Sequence, residues 1–545
     1  MNGWNFASIW ESVADAQPDR AALIHGNETI TWNSFERRSN NLAHHLLKSG
    51  CTHQGAVAFY LYNDPVYLEL FFACSKASLV HVNTNYRYGP DELVYLWQNA
   101  DAEAVVFHGS FTTTVSEVRP RTSGVHTWIW VDDDTEPCPP WAIPYTDAVA
   151  GGPHERAVGD RGRSGDDLVL LYTGGTTGMP KGVMWRQDDL FVVTDAKNKV
   201  PLPVLPDFDA NGLSPAAMAR VEERAGPVSI PACPLMHGTG LFNALTTVSL
   251  GGAIVTMTNR KLDIAEIFSA VERHKVKSIF IVGDAFAKPM LEALDSQPDR
   301  WDISSLRVLI SSGVMWSSSS KSGLMAHNPK LLCVDTYGSS EAIGIGSSVS
   351  SKDGSAKTAS FSLSKKSAVI TEDGRIVQPG STEIGRVGVA GRVPLGYFKD
   401  PEKTAVTFPT IDGVRYSVPG DFATVEADGT ITLLGRGSVC INTGGEKVFP
   451  EEVEEALKSH PAVSDAIVVG IPDDRFGQRV AAVVAGPNPP AEAELISFVK
   501  SQLAHYKAPR HVLAVPSLER AANGKVDYKH WTRFAERYLS QAPEN

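Results

Sequence analysis

Apolar positions along this chain fall into two rhythms that repeatedly trade places. Asn5 to Ala16 carries them at helical spacing, and AALIH followed by ETITW predicts a short hairpin. FERRSNNLAHHLLKSG predicts an amphipathic helix that stops at Gly50. VAFYLYND has the continuous apolar pattern of a buried strand, and PVYLELFFACSKAS returns to helical spacing. HVNTNYRYGPDELVYLWQNADAEAVVFHG repeats loop, helix and strand. Such alternation predicts an α/β fold, with helices packed on parallel or mixed sheet. No internal repeat of fixed period is visible.

Three stretches break the rhythm. Ala148 to Asp166 is rich in Gly and charge. Lys197 to Ile230 combines a proline-rich loop with a charged helix, AAMARVEERAG. Gly374 to Gly396 shifts to Gly, Val and Arg in short alternating strands. The last ~110 residues have the size and pattern of a small α+β domain. PEEVEEALKSH opens with Pro450 at a helix start, followed by acids that suit its dipole. AIVVGIP, VAAVVAG and HVLAVPSL predict strands, and AELISFVKSQLAHY a helix. The boundary expected near Gly435 to Ser438 gives a large N-terminal domain, 1–435, and a small C-terminal domain, 436–545.

Composition narrows the function classes. Of 545 residues, 43% are hydrophobic and 21% charged, so a folded core is expected and wholesale disorder is not. The net charge of −12 lacks the basic footprint of a dedicated nucleic-acid binder, although a nest of amides can hold phosphate inside an acidic protein. Cys51, Cys74, Cys138, Cys233, Cys333 and Cys440 are scattered, with no C-x-x-C pair. That spacing argues against a zinc site or disulfide scaffold and suits a reducing compartment. The N-terminus has no signal-peptide layout, and no run approaches the ~18 apolar residues of a membrane span. The expected location is cytoplasmic.

Leu168 to Trp185, LVLLYTGGTTGMPKGVMW, carries the strongest chemical signal. An apolar, β-rich run delivers Thr173, Gly174, Gly175, Thr176, Thr177 and Gly178, and Lys181 follows after Pro180. Glycines allow consecutive amides to converge on an anion, the threonine hydroxyls donate to phosphate oxygens, and Lys181 adds a point charge. Neither a Walker A loop nor G-x-G-x-x-G can be laid on this segment.

TGGTTGMPKG resembles the signature loop of the adenylate-forming superfamily, which includes acyl-CoA synthetases, luciferases and nonribosomal adenylation domains. The resemblance extends along the chain. DTYGSSEA is similar to the family's Tyr-Gly-x-Thr-Glu motif. It implies nucleotide contacts for Asp335, Thr336, Tyr337 (a flat face for adenine), Gly338 and Ser340, which stands where the family usually has Thr. Glu341 becomes the ligand of Mg2+, a hard cation that takes oxygen donors. LISSGVM implies that Ser312 and Gly313 lie against the nucleotide and the acyl group. CPLMHGTGLF places His237 beside the acyl carboxylate. In VPGDFATVEADGTITLLGRG, Asp421 matches the aspartate that accepts both ribose hydroxyls and Arg436 the arginine at the domain hinge; Pro419 replaces the common Thr. Lys525 in NGKVDY matches the catalytic lysine. Ile441 to Glu452 would form a tunnel for the pantetheine thiol, with Gly445 letting it pass. Ser438 at the hinge and Asn442 after the isoleucine depart from the common pattern.

The resemblance implies ATP-dependent activation of a carboxylic acid to acyl-AMP, then transfer to CoA as a mobile C-terminal domain rotates. The cofactors and partners expected are ATP, Mg2+, CoA and a small-molecule acid, with a homodimer left open. GTGLFNAL, IVGDAFAKP and SSGVM are the candidate pocket segments. They are mostly apolar, so a bulky apolar monocarboxylate of the fatty-acid or steroid side-chain type is expected. An acyl-AMP ligase loading a carrier-protein thiol and a non-catalytic nucleotide-binding relative are the alternatives.

Overall fold

Local chemistry sets where the helices begin. Asn5 Oδ1 accepts from Ala7 N at 2.9 Å to start the helix Phe6–Ala16. Thr31 caps Trp32–Lys48, and Asp64, accepting from Val66 N at 2.8 Å, caps Pro65–Ala77. The helix read from FERR onward starts at Trp32, which is fully buried and packs on Phe35.

The computed structural model describes residues 3–153, 155–173, 179–194, 208–209, 212–213, 226–314, 316–354, 359–436, 439–443, 446–473, 477–520 and 526–541. Most of Lys197 to Ile230, with its expected loop and charged helix, lies outside them. The chain divides into two compact units, Met1–Thr358 with Ala390–Ser417, and Ala359–Val389 with Val418–Asn545.

The first unit holds two mixed sheets. One runs, in spatial order, Gly396–Tyr397, Lys181–Arg186, Leu168–Thr173, Val80–Asn83, Ala56–Tyr60, Ala102–His108, Thr127–Val131 and Ile143–Pro144. The first three strands are antiparallel neighbours, and from Leu168–Thr173 onward the pairing is parallel. Along Ala56–Tyr60 the side chains alternate, Val57 and Phe59 to one core, Ala56, Ala58 and Tyr60 to the other. The larger core is centred on aromatic rings, with Phe72 packed 5.3 Å from Trp10 and 5.1 Å from Phe35.

The other sheet runs Glu28–Thr31, Ala21–His25, Ala253–Thr256, Val228–Pro231, Ser278–Ile281, Val308–Ser312, Leu332–Tyr337 and Gly346–Ser350. Its terminal pairs are antiparallel and its interior is parallel. The expected hairpin Ala21–Thr31 is present, but it serves as the edge of a sheet whose other strands come much later in the chain.

Both sheets are wound alike. A pivot strand, Ala56–Tyr60 in one and Val228–Pro231 in the other, has the next parallel strand of the chain on one side and the following one on the other. The crevice outside the carboxyl ends at such a reversal is where open α/β sheets bind ligands.

In the second unit, Ser360–Leu363, Thr430–Arg436, Asp421–Val425, Gly385–Ala390 and Ser367–Ile370 form an antiparallel sheet. A second sheet orders Glu446–Val448, Ile441–Thr443, Gly477–Ala485 and Asp465–Asp473, with His511–Val515 parallel to Gly477–Ala485. Both faces of the latter are covered. Val468, Val480 and Ala482 meet Val453, Leu457 and Leu495, while Ile467, Val469 and Val483 meet Leu513, Trp531 and Ala535. Buried Glu454 ties these layers by accepting from Val468 N at 2.9 Å and Tyr528 Oη at 3.0 Å. Its burial pushes the carboxyl above the usual range. Among the described residues, no helix is long and apolar enough to cross a membrane.

Candidate functional site

In the first unit, most of the described candidate residues lie at or just beyond a strand end. Thr173 closes Leu168–Thr173 and pairs in register with Lys181, so the flanks of the Gly-Thr loop are held together at its base. Gly174, Gly175, Thr176, Thr177 and Gly178 lie outside the described residues. The Lys181 ammonium pairs with the Asp400 carboxylate and stands 5.9 Å from the centre of the Tyr397 ring. The hydrogen bond from Lys181 holds Asp400 below the usual carboxylate range. Asp400 is itself fixed as the cap of Pro401–Thr407, accepting from Lys403 N at 2.9 Å.

Tyr397 Oη donates to Glu341 Oε1 at 2.9 Å, and Ser417 Oγ donates to the Glu341 carbonyl at 2.7 Å. Trp185 Nε1 donates to the Ser340 carbonyl at 2.9 Å. Lys181, Ser340 and Glu341 are thus brought together around Trp185 and Tyr397, with Glu341 half-buried. Tyr397 and Asp400 were not marked by any local pattern. Asp-Pro reads as a helix start, but nothing nearby in sequence says which cation that carboxylate meets.

Ser312 and Thr336 are register partners on adjacent parallel strands. Thr336 Oγ1 donates to Ser311 O, and Ser311 Oγ accepts from Gly283 N, both at 2.9 Å. Gly313 follows at φ +90, a left-handed turn that a side chain would strain, and its Cα faces open space. Asp335 and Tyr337 are buried. The Asp335 carboxylate lies 3.3 Å from the ammonium of equally buried Lys321, so part of its charge is answered within the fold. Beyond Gly338, Ser339 and Ala342 exchange backbone hydrogen bonds of 2.9 and 3.1 Å, a tight turn that presents Ser340 and Glu341.

His237 sits half-buried at the start of Gly238–Ser249, where its carbonyl accepts from Leu241 N at 2.9 Å. Gly238 brings this helix end close to Leu171 and Phe242. In the second unit, Asp421 is buried and pairs in register with Arg436. Gly435 beside them has φ +122, and a Cβ there would collide with the Glu451 carboxylate. Gly445 and Lys525 lie outside the described residues, as does Ser438.

Away from this region, Cys51, Glu103 and His126 bring three potential ligand atoms within 4.8 Å of one another. Both Glu103 oxygens accept from Thr52, at 2.7 and 2.6 Å. Burial, with Glu103 adjacent, pushes the Cys51 thiol up to about 12. Glu103 is thereby tied to the loop that follows Cys51.

Residues 10–398 match the AMP-binding enzyme family and residues 452–525 match the AMP-binding enzyme C-terminal domain. The chain is 40% identical over 540 residues to a medium/long-chain-fatty-acid–CoA/3-oxocholest-4-en-26-oate–CoA ligase of Mycobacterium marinum, covering 97% of this chain and 96% of that one. It is 39% identical over 542 residues to a 3-oxocholest-4-en-26-oate–CoA ligase of Rhodococcus rhodochrous, covering 97% and 95%. The fold matches the crystal structure of the anthranilate CoA ligase AuaEII with anthranoyl-AMP at a TM-score of 0.82, with 20% identity over 99% of this chain and 98% of that one.

Proposed function

This chain belongs to the AMP-binding enzyme family, and on that premise we propose that it is an AMP-forming ligase joining a hydrophobic carboxylic acid to CoA. The observation that carries the reading is near-full-length identity of 40% to a relative named as such a ligase. The acid we infer is a bulky apolar monocarboxylate, a medium- or long-chain fatty acid or a steroid side-chain acid.

In the first step a carboxylate oxygen bonds to the α-phosphorus of ATP as the bond to pyrophosphate breaks. The nucleophile is already ionised at neutral pH, so no general base is needed. What the protein must do is hold two anions in line and answer the charge that develops. We assign the acid's carboxylate to His237, the phosphates to Lys181, Lys525 and the Gly-Thr loop (residues 173–178), and the ribose to Asp421 with Arg436. Ser312, Gly313 and residues 335–340 would line the nucleotide and the reacting carboxyl. Lys181 would exchange its Asp400 partner for phosphate oxygen.

Glu341 suits Mg2+: it is a hard oxygen donor, half-buried, with one carboxylate oxygen already oriented by Tyr397. The bound ion supplies positive charge against the phosphates. In the second step the CoA thiol gives up its proton to water, its sulfur bonds to the acyl carbon, the acyl–phosphate bond breaks, and AMP leaves with the electron pair. We assign the thiol's path to Ile441–Glu452, exposed when domain 436–545 turns.

ATP–pyrophosphate exchange with a panel of medium-chain, long-chain, aromatic and steroid acids tests the reading, followed by thioester analysis with CoA. Exchange that depends on an apolar acid, with acyl-CoA as product, is expected. No exchange with any acid would sink the proposal, and exchange without turnover on CoA would move the acceptor to a carrier-protein thiol.

Asp421→Ala is expected to raise the KM for ATP at least about tenfold. It removes charged hydrogen bonds to ribose of about 1.5–3 kcal/mol each. Steady-state kinetics on the folded variant checks it, and an unchanged KM for ATP would remove Asp421 from the ribose site.

A further inference from the structure

Two asparagines at the carboxyl ends of parallel strands bind the backbone of distant segments. Asn83 ends the strand Val80–Asn83 and is 3% exposed. Its Oδ1 accepts from Tyr172 N at 2.6 Å, and its Nδ2 donates to Tyr172 O at 2.9 Å and to Met236 O at 2.7 Å. Asn63, just beyond the pivot strand Ala56–Tyr60, does the same for the segment before His237. It accepts from Leu235 N at 2.7 Å and donates to Pro231 O and Cys233 O at 2.9 and 3.0 Å.

The geometry of Asn83 is informative. Backbone pairing of its strand with Leu168–Thr173 has reached Val82 opposite Leu170. Beyond that point the carboxamide takes both the N–H and the C=O of Tyr172, as another peptide unit would. This holds the residue next to Thr173, where the Gly-Thr loop begins. The second N–H goes to Met236 O, next to His237. Both amide hydrogens are therefore used, and one side chain ties the two loop bases together.

We propose that Asn83 is a positioning residue for adenylation: it fixes the distance between the phosphate-binding loop and the histidine that receives the acid's carboxylate. This rests on the ligase reading above and deepens it. The nucleophile and the α-phosphorus are held by different segments of chain, and their approach is set by whatever joins those segments. Asn63 touches only the His237 side, so it is the internal control.

The test is carried out on the full-length enzyme. Asn83→Ala is expected to lower the acid-dependent ATP–pyrophosphate exchange by about 10²-fold, the scale of a misplacement of about 1 Å. Thioester formation from supplied acyl-AMP and CoA should fall less than about threefold, because the carboxylate oxygen and the α-phosphorus are by then already bonded to each other and their approach no longer matters. Asn63→Ala should raise the KM for the acid while leaving that for ATP within about twofold, since it loosens one side only. Asn83→Asp keeps the shape and the bond from Tyr172 N but loses both donors, and it is measured alongside in case the alanine variant does not melt cooperatively; it should show the same split. Equal loss in the two half-reactions, or exchange at the wild-type level, overturns the proposal. Failure of the wild-type enzyme to exchange would speak against the ligase reading instead.

Discussion

Lys525→Ala is expected to cut acyl-AMP formation by about 10³-fold while leaving thioester formation from supplied acyl-AMP nearly intact. The lysine is assigned to the step in which negative charge builds on the α-phosphate and pyrophosphate departs. Removing one preorganised donor from such a centre costs on the order of 10²–10³-fold, and a full positive charge lies at the upper end. The thiol's attack on the acyl carbon builds its charge elsewhere, and in the rotating-domain reading Lys525 has by then withdrawn. Pyrophosphate exchange and single-turnover thioester assays on the same preparation separate the two steps. Equal loss in both would remove Lys525 from the adenylation centre.

Gly445→Trp is expected to do the reverse. The variant should release pyrophosphate and accumulate acyl-AMP, while acyl-CoA output falls by about two orders of magnitude or more, as a displaced nucleophile predicts. Glycine leaves room for a thin arm to pass, and an indole there would fill the path assigned to the pantetheine. The residue lies on a face assigned to the second step alone, so an enzyme with one working conformation would have no reason to divide the half-reactions at this position. If exchange declines as far as thioester formation, Gly445 serves the first step or the fold, and the alternation of domain 436–545 is not how this enzyme proceeds.

What the chain declares in advance and what it conceals follow from the range of the forces involved. The helices that start at Pro65 and Pro450, and the strands Asp465–Asp473 and Gly477–Ala485, were legible because capping and alternation act over a few residues. The strand Leu168–Thr173 was equally plain, as an apolar run ending in a glycine-rich loop. The Gly-Thr loop and Lys181 are legible from their own chemistry, the other motif residues come through resemblance, and the fold sets most of those described at strand ends. The partners that orient them left no local signal. Asp400 meets Lys181 across 219 residues, and Trp185 meets Ser340 across 155. Asn83 looks like the polar end of a short strand until Tyr172 and Met236 are seen around it. The common winding of the two sheets was likewise invisible, because topology can repeat where residue spacing does not.

The hairpin at residues 21–31 carries a consequence for biosynthesis. Its sheet neighbour, Ala253–Thr256, is made long after it, and the helix before it is held the same way. Trp10 Nε1 reaches Ser249 Oγ across 239 residues, and Gln17 Nε2 reaches Gly251 O across 234. At about 5–20 residues per second, the ribosome takes on the order of 10–50 s to supply those partners. Throughout that interval the nascent chain carries a strand edge with no neighbour and a helix whose apolar stripe has only part of its final cover, a combination prone to pairing with other chains. Folding therefore cannot proceed strictly from the N-terminus onward: the start of the polypeptide must be kept from aggregating until its middle has been made.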